Sequence, residues 1–595
     1  MSIMSNNNTT NDFKSIEEVT KQSISILYGL NPCPKLDFQY TKKEYLGDIT
    51  LILFPLSKKL KEPVEKIGKH IGNYVHNQLM GLISFSIIGG FLNFIFEDNY
   101  YLHLLKKMLS NNYLYDLKFK FSSKNIMVEY SSPNANKPLH LGHIRNSLIG
   151  SSISEILKMV GHKIIKIQII NDRGIHICKS MIAWKEFGKG ETPDSIGMKG
   201  DHFVGKYYCL FDKVYREEIR NNSKDQQNKN QVSILQKSRN LLKKWESGDQ
   251  KTIVLWKKMN KWVYKGFKET YEKLGITFDK VEYESNVYEV GKNILKEGLK
   301  KRIFFQKKDG SIWIDLIKEG FDQKLLLRSD QTSVYITQDI GTAVERFRKY
   351  KIDKLIYIVG KEQDYHFQVL FRILSRLGYV WANKLSHLSY GMVDLPSGKM
   401  KSREGNIIDA DSLILEMYSI AKKNLLKDFS KEEQEEYSKI IGIGAIKYHF
   451  LKVDPKKRIL FYPEKSIDFK GNTGPYIQYT YSRIRSLERK FFDLCSLTHE
   501  YWDNAKFDTY ERNMIKILQK YPFILKKSAE KLNPSLIANY IYEVSQIFNH
   551  LYQNKKIINP LDIIQSNIRM NIVHITGNIL KSGMRLLGIK MLDRM

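Results

Sequence analysis

Cysteine is scarce. Four occur in 595 residues, Cys33, Cys178, Cys209 and Cys495, and none forms a Cys-x-x-Cys pair. That spacing argues against a disulfide framework and against a cysteine-based zinc site, and it fits a reducing cytosol. Acids are also short: 64 Asp and Glu face 95 Lys and Arg, for a net charge of +31 and a pI near 9.5. A polyanionic partner such as RNA is the natural inference. The composition weakens it, because Lys, Ile and Asn are abundant throughout, as mutational bias from an AT-rich genome would produce. The polar stretch Met1 to Asn11 has no apolar core, so no secretory signal is expected. Leu79 to Phe96 carries no charge over 18 residues, close to the length of a membrane span. Gly89-Gly90 divides it and Ser84, Ser86 and Asn93 interrupt it, which predicts two strands joined by a turn.

What is present centres on Pro133-Asn-Ala-Asn-Lys-Pro-Leu-His-Leu-Gly-His143. The alternating run Asn125 to Ser131 before it reads as a strand. A helical pattern follows from about Leu141 to Val160 and stops at Gly161, and Ile164 to Ile170 reads as the next strand. This is a βαβ unit, so a parallel sheet is expected, with the polar turn at a strand's carboxyl end where such sheets bind ligands. His140 and His143 share one helix face and could donate to phosphate oxygens beside the positive end of the dipole. Gly142 removes a side chain where a flat base could approach the backbone. His-x-x-His alone is weak, and two ordinary surface or core histidines would also satisfy it.

A second stretch, Lys399-Met-Lys-Ser-Arg403 between Gly398 and Gly405, would by itself be a solvated charge run. Together, His-Leu-Gly-His and Lys-Met-Lys-Ser-Arg resemble, in the right order, the two signatures of class I aminoacyl-tRNA synthetases. Val128-Glu-Tyr-Ser-Ser-Pro-Asn134 and Asn472-Thr-Gly-Pro-Tyr-Ile-Gln-Tyr479 resemble the arginine-specific family within that class. The resemblance runs from about residue 40 to the C-terminal Asp593-Arg-Met595. Another class I synthetase, or a nucleotidyltransferase sharing His-x-Gly-His, is the alternative; a non-catalytic RNA-binding relative is a third. Acids suited to a guanidinium and the lack of a cysteine–histidine zinc cluster favour arginine.

At 595 residues the chain is long enough for about three or four domains, and the resemblance implies a multidomain α/β chain. Residues 1–115 would form a small α/β unit that contacts the elbow of tRNA. Residues 116–405 would form a Rossmann-like parallel-sheet catalytic unit, interrupted by an insertion at about 186–280. Residues 406–464 would be a helical connection, and 465–595 an all-α anticodon-binding bundle with its own core. Pattern alone predicts helices over Leu51–Leu60 and Val64–Asn77, with Pro55 counting against the first. The insertion reads as charged and irregular, partly helical around Ile253–Leu274, without a second hydrolytic motif. Asp339–Tyr350 and Asp364–Leu377 read as helices flanking the buried strand Leu355–Val359. Ser412–Leu425, Gly474–Asp493, Arg512–Ala529 and Ser535–Leu551 read as bundle helices.

The implied chemistry is formation of arginyl-adenylate from arginine and ATP, then transfer to the 3′ adenosine of tRNA, with magnesium accompanying the nucleotide. His140, His143, Lys137, Lys399 and Lys401 would carry catalysis, and Gly142, Met400 and Ser402 would join the histidines around ATP. Arginine would be held by Glu129, Asn134, His140, Tyr335, Asp339 and Gln363, since a planar guanidinium asks for paired acceptors. Glu129 in an apolar strand suggests a site residue, because a buried unpaired carboxylate is costly. Asn93 and Phe96 match family positions that face RNA; Tyr476, Tyr479, Arg483 and Met595 match its anticodon side. A cytoplasmic monomer is expected, and the family commonly needs bound tRNA before it activates arginine. The second signature departs from Lys-Met-Ser-Lys-Ser: serine stands at 402 where the second lysine is usual. Some family members carry a compensating lysine before the histidine motif, and Lys137 occupies that place.

Overall fold

The computed structural model describes residues 11–42, 44–79, 82–110, 122–222, 233–394, 409–425, 429–493, 502 and 505–595. Its first part holds α1 (Asn11–Tyr28), β1 (Phe38–Tyr40), β2 (Ile49–Ile52), α2 (Phe54–Leu60), α3 (Val64–Gln78), β3 (Ile83–Ile88), β4 (Phe91–Phe96) and α4 (Asp98–Leu109). The strands make an antiparallel sheet in the order β1-β2-β4-β3. Gly89 and Gly90 adopt φ of +55° and +87° between β3 and β4, so the uncharged run is a hairpin. No helix among the described residues is long and apolar enough to cross a membrane. The helix expected over Leu51–Leu60 is corrected at its start, where β2 pairs on both sides. Pro55 sits in the first turn of α2, where its missing N–H has no helical partner to lose.

The central part is built on a five-stranded parallel sheet. β5 (Asn125–Glu129) leads through α5 (Leu141–Met159) to β6 (Lys163–Ile170). The chain then passes α6 (Ile175–Phe187), α7 (Gly200–Asn222), α8 (Ile234–Glu246) and α9 (Gln250–Lys273) before β7 (Lys280–Tyr283). The insertion is therefore helical over its described residues, not irregular. Phe203, Tyr207 and Phe211 on α7, and Val263, Phe267 and Tyr271 on α9, are buried four residues apart. After α10 (Glu284–Lys300) comes a small antiparallel sheet of β8 (Phe305–Gln306), β9 (Ile312–Ile314) and β10 (Lys324–Leu327). α11 (Tyr335–Lys349), β11 (Lys354–Gly360), α12 (Asp364–Arg376) and β12 (Leu385–Tyr390) complete the unit. The strand order β12-β11-β5-β6-β7 reverses direction between β5 and β11. Outside the carboxyl ends of those two strands lies the crevice where such sheets hold ligands.

β13 (Val393–Asp394) pairs in parallel with the later β14 (Ile459–Leu460). Between them run α13 (Ala410–Asn424) and α14 (Lys431–Leu451); α15 (Pro463–Ser466) is a single turn. α16 (Gly474–Phe492), α17 (Thr509–Leu518), α18 (Tyr521–Lys531), α19 (Ser535–Asn554) and α20 (Ile563–Leu586) follow. The single helix expected over Arg512–Ala529 is two, because the chain breaks at Gln519-Lys520 and restarts with Pro522 in the first turn. These helices have no separate core. One apolar cluster runs from Leu51 and Phe94 through Leu148 of α5 to Ile541 and Ile579. Ser152 of α5 donates to the Leu586 carbonyl at 2.8 Å, and Tyr448 of α14 to Ala538 at 3.0 Å. A second cluster, with Met127, Ile340, Leu355 and Leu370, fills the other side of the sheet.

Candidate active site

Strand β5 delivers its turn to the crevice and His140 starts α5 as its N-cap. The Gly142 amide donates to His140 Nδ1 at 3.1 Å, and the His140 amide donates to His143 Nδ1 at 3.2 Å. The rings stack with centroids 3.9 Å apart. Burial pushes His140 down to about 4, with Lys137 adding, and holds His143 well below the usual histidine value. Both rings are thus neutral near pH 7. With each Nδ1 accepting, the hydrogen bonds assign the proton to Nε2, so both rings are Nε2–H donors. A Cβ on Gly142 would lie 3.0 Å from the His140 ring, so the space that glycine leaves is used by that ring. Burial also lowers the Lys137 ammonium. No carboxylate pairs with Lys137 among the described residues, and it stands close enough to both histidines to depress them.

The opposite wall is acidic. Arg346, fully buried on α11, joins the carboxylates of Glu129 and Glu282, its Nε lying 3.0 Å from the latter. Burial pushes the Glu129 carboxyl up and Arg346 opposes it. Glu129 is therefore buried but paired, which offsets the cost of burying its carboxylate. Asp339 lies seven residues before Arg346, two helical turns along the same face, and accepts from His366 Nε2 at 2.6 Å. Tyr335, 64% exposed, opens α11, and exposed Gln363 follows β11. Asn134, also exposed, bridges to Asn171 beyond the end of β6. The carboxyl end of the sheet thus gathers Glu129, Asn134 and His140 from one half and Tyr335, Asp339 and Gln363 from the other.

Sequence reasoning missed several groups here. Glu284, buried at the start of α10, is pushed up to about 8 by burial, with Arg173 opposing and Asp172 and Asp339 adding. Asp172 accepts from the Ser285 amide and hydroxyl at 2.9 and 2.8 Å and from the Tyr264 hydroxyl at 2.9 Å. Arg346 had a readable signal in its spacing from Asp339; Glu284 and Asp172 had none beyond their places at strand ends.

Lys399, Met400, Lys401 and Ser402 lie outside the described residues, but both flanks of that segment are tied to α5. Arg145, fully buried in the second turn, donates to the carbonyls of Gly391 and Met392 just before β13. It also reaches those of Asp454, Pro455 and Lys457 at 3.4, 3.1 and 2.8 Å. Burial brings its pKa to about 10. On the far flank, Asp409 bridges to His140, and the Ala410 amide donates to the Leu139 carbonyl at 2.8 Å.

The RNA-facing expectations divide. Asn93 and Phe96 are corrected: β4 is an inner strand covered on both faces. Asn93 accepts from the Thr50 hydroxyl at 2.6 Å, and Phe96 stacks on Tyr100 at 4.0 Å. Both side chains are buried. On α16 the Arg483 guanidinium lies 5.0 Å over Tyr479 and 4.7 Å over Tyr552. Asn549 donates to the Tyr476 hydroxyl at 2.9 Å and accepts from Arg483. Tyr479 is 41% exposed, and Met595 is partly exposed at the chain end.

Residues 104–462 match the family model described as tRNA synthetases class I (R), catalytic domain, and residues 477–595 match the DALR anticodon binding domain. The chain is 46% identical over 611 aligned residues to the arginine–tRNA ligase of Flavobacterium psychrophilum, covering 98% of this chain and 100% of that one. It is 44% identical to that of Bacteroides fragilis, with 96% and 98% covered. In fold it is similar to arginyl-tRNA synthetase structures from Thermus thermophilus (TM-score 0.74, 23% identity, 98% and 100% covered) and Plasmodium falciparum (0.73, 22%, 98% and 99%).

Proposed function

Because the chain belongs to the class I arginyl-tRNA synthetases, we propose that its crevice joins arginine to ATP as arginyl-adenylate and passes the arginyl group to the 3′ end of tRNA. The arginine carboxylate attacks the α-phosphorus; the new C–O–P link forms as the bond to pyrophosphate breaks. The terminal ribose hydroxyl then attacks the carbonyl carbon and AMP leaves. The protein's part is position and charge. His140 and His143 offer Nε2–H donors to the phosphate chain without cationic charge of their own. Lys137 supplies the charge, together with Lys399 and Lys401, and Gly142, Met400 and Ser402 border the nucleotide. Asp339 and Glu129, with Tyr335, Asn134 and Gln363, receive the guanidinium and backbone groups of arginine.

The observation that carries this reading is the pairing, across one switch point, of an acid-rich wall with a wall of donors that no carboxylate pairs among the described residues. Magnesium would arrive on the nucleotide. The described group of three metal-type ligands, Asp201, His202 and Asp411, does not fit a resident ion, since the Lys199 ammonium lies 3.1 and 2.6 Å from its two carboxylates. Residues 1–115 would meet the elbow of tRNA through surfaces other than Asn93 and Phe96. Residues 116–405 form the catalytic unit in this proposal and 406–464 the connection. Residues 465–595 meet the anticodon, where Tyr476, Tyr479, Arg483 and Met595 lie, because aromatic and arginine planes stack on unpaired bases. A monomer in the cytoplasm completes the proposal. Arginine-dependent pyrophosphate exchange, with a panel of amino acids and with or without tRNA, tests it. Exchange is expected with arginine alone and only when tRNA is present; exchange driven by another amino acid would refute it.

A further inference from the structure

The inserted helices meet the first residues of α13 through a closed group of charges. Asp411 is 8% exposed and receives four donors. Lys199 Nζ lies at 2.6 Å, Lys273 Nζ at 2.8 Å, the Thr270 hydroxyl at 3.1 Å and His202 Nε2 at 3.3 Å. Lys199 also reaches Asp201 and Thr270, and His202 approaches Asp409 at 3.6 Å. Burial alone would raise the Asp411 carboxyl, but donation from His202, Lys199 and Lys273 outweighs it and holds the group well below the usual range. The frame behind these donors is tight. A Cβ on Gly266 of α9 would lie 2.3 Å from Asp201 Oδ1, and one on Gly200 would lie 2.1 Å from the Trp262 carbonyl.

The place of this group in the chain gives it meaning. Asp411 is the third described residue after 395–408, the segment whose sequence contains the second signature. Asp409 and Ala410 pair with His140 and Leu139, so a shift of α13 would reach the N-cap histidine directly. The same insertion touches the other side of the first signature: a Cβ on Gly205 of α7 would lie 2.8 Å from Pro138 and 3.5 Å from the Lys137 Cα. A buried ionic group is a poor source of stability compared with apolar packing, whereas its fixed geometry suits a register device.

We propose that Asp411 is a positioning residue for adenylate formation, gripped by Lys199, His202, Thr270 and Lys273 of the insertion so that the chain leaving residues 395–408 keeps its register against His140. The role of the insertion is then to hold the start of α13 and the first signature in one frame. This rests on the reading of the first signature as the nucleotide side of the site. Displacement by a fraction of an ångström is enough to slow an in-line reaction.

The test compares wild type, Asp411→Asn and Lys273→Met in pyrophosphate exchange with saturating tRNA, with rates expressed per active site titrated by single-turnover charging. For Asp411→Asn, kcat is expected to fall about tenfold and the KM for ATP to rise about fivefold, with the arginine KM within about twofold. Lys273, at the more exposed edge of the group, gives about a threefold fall in kcat, and the double variant falls less than the product of the two. A purely structural role would lower the titre and the melting temperature and leave kcat per site and both KM values unchanged. That outcome in Lys273→Met, or in Asp411→Asn if it folds, overturns the proposal. Absence of arginine-dependent exchange in the wild type would instead overturn the functional reading beneath it.

Discussion

The α11 side of the crevice holds Glu129 and Glu282 around one internal guanidinium, Arg346, with Asp339 two turns earlier against His366, while the α5 wall presents His140, His143 and Lys137 with no carboxylate paired to them among the described residues. Both walls are partly buried, yet they handle burial in opposite ways. Two carboxylates share the one buried guanidinium, and Asp339, 38% exposed, is the acceptor that the proposal assigns to a second guanidinium. The donors are handled the other way: two rings lose their charge to burial, and Lys137, lowered by burial, has no carboxylate partner among the described residues. Binding a ready-made cation asks for surplus acceptors, whereas stabilising charge that grows during reaction asks for donors not already neutralised.

The sharpest way to break this contrast is at Lys137. Lys137→Ala should lower kcat for adenylate formation by roughly 10²- to 10³-fold, the scale of losing one preorganised donor. Lys401→Ala should cost clearly less, and adding Ser402→Lys to the Lys137→Ala enzyme should restore part of the loss. Near-normal kcat in Lys137→Ala would make it an ordinary surface lysine. On the acid wall, Asp339→Asn should weaken arginine use by about 1.5–3 kcal/mol, the value of a charge-assisted bond. The lower part of that range is expected because Asp339 keeps 38% of its side chain exposed. Far from both walls, Tyr479→Ala with Arg483→Ala should raise the KM for tRNA roughly tenfold by removing stacking planes, leaving kcat for arginine activation alone. An unchanged tRNA KM would return that layer to plain packing between α16 and α19.

The smallest effect is on stability against pH. A buried histidine with a lowered folded pKa binds fewer protons than the unfolded chain between about 6.5 and its folded value. For His140, held at about 4, stability is complete above the unfolded value, falls as the pH drops from there, and levels off below about 4. His140→Asn, which keeps an N-cap acceptor, should flatten the loss of denaturation midpoint between pH 7 and 5. An identical slope in the variant would mean that other groups set it.

Much of this was legible from local pattern. A strand, a polar turn and a helix beginning at a histidine pair are contiguous in sequence, so β5, α5 and the placement of His140 and His143 could be read directly. Arg346 was readable in principle, seven residues after Asp339 on one face of α11. What escaped was non-local or masked. The inserted helices hide their aromatic period among other apolar residues, as Val204, Tyr208 and Leu210 do beside Phe203, Tyr207 and Phe211. The burial of Asn93 depends on Thr50 from a neighbouring strand, and the shared core of α5 with α20 depends on contacts more than 400 residues apart, as in Ser152 with Leu586. The Asp411 group combines three segments, α7, α9 and α13, none of which is charged in a distinctive way alone.

The central claim is that one crevice divides its labour between an arginine wall and a phosphate wall. The most direct measurement is a crossed one: steady-state pyrophosphate exchange with saturating tRNA in Asp339→Asn and Lys137→Ala, varying arginine and ATP separately. The account predicts that Asp339→Asn raises the KM for arginine and leaves that for ATP, while Lys137→Ala lowers kcat and leaves the arginine KM. Equal shifts for both substrates in both variants would contradict it.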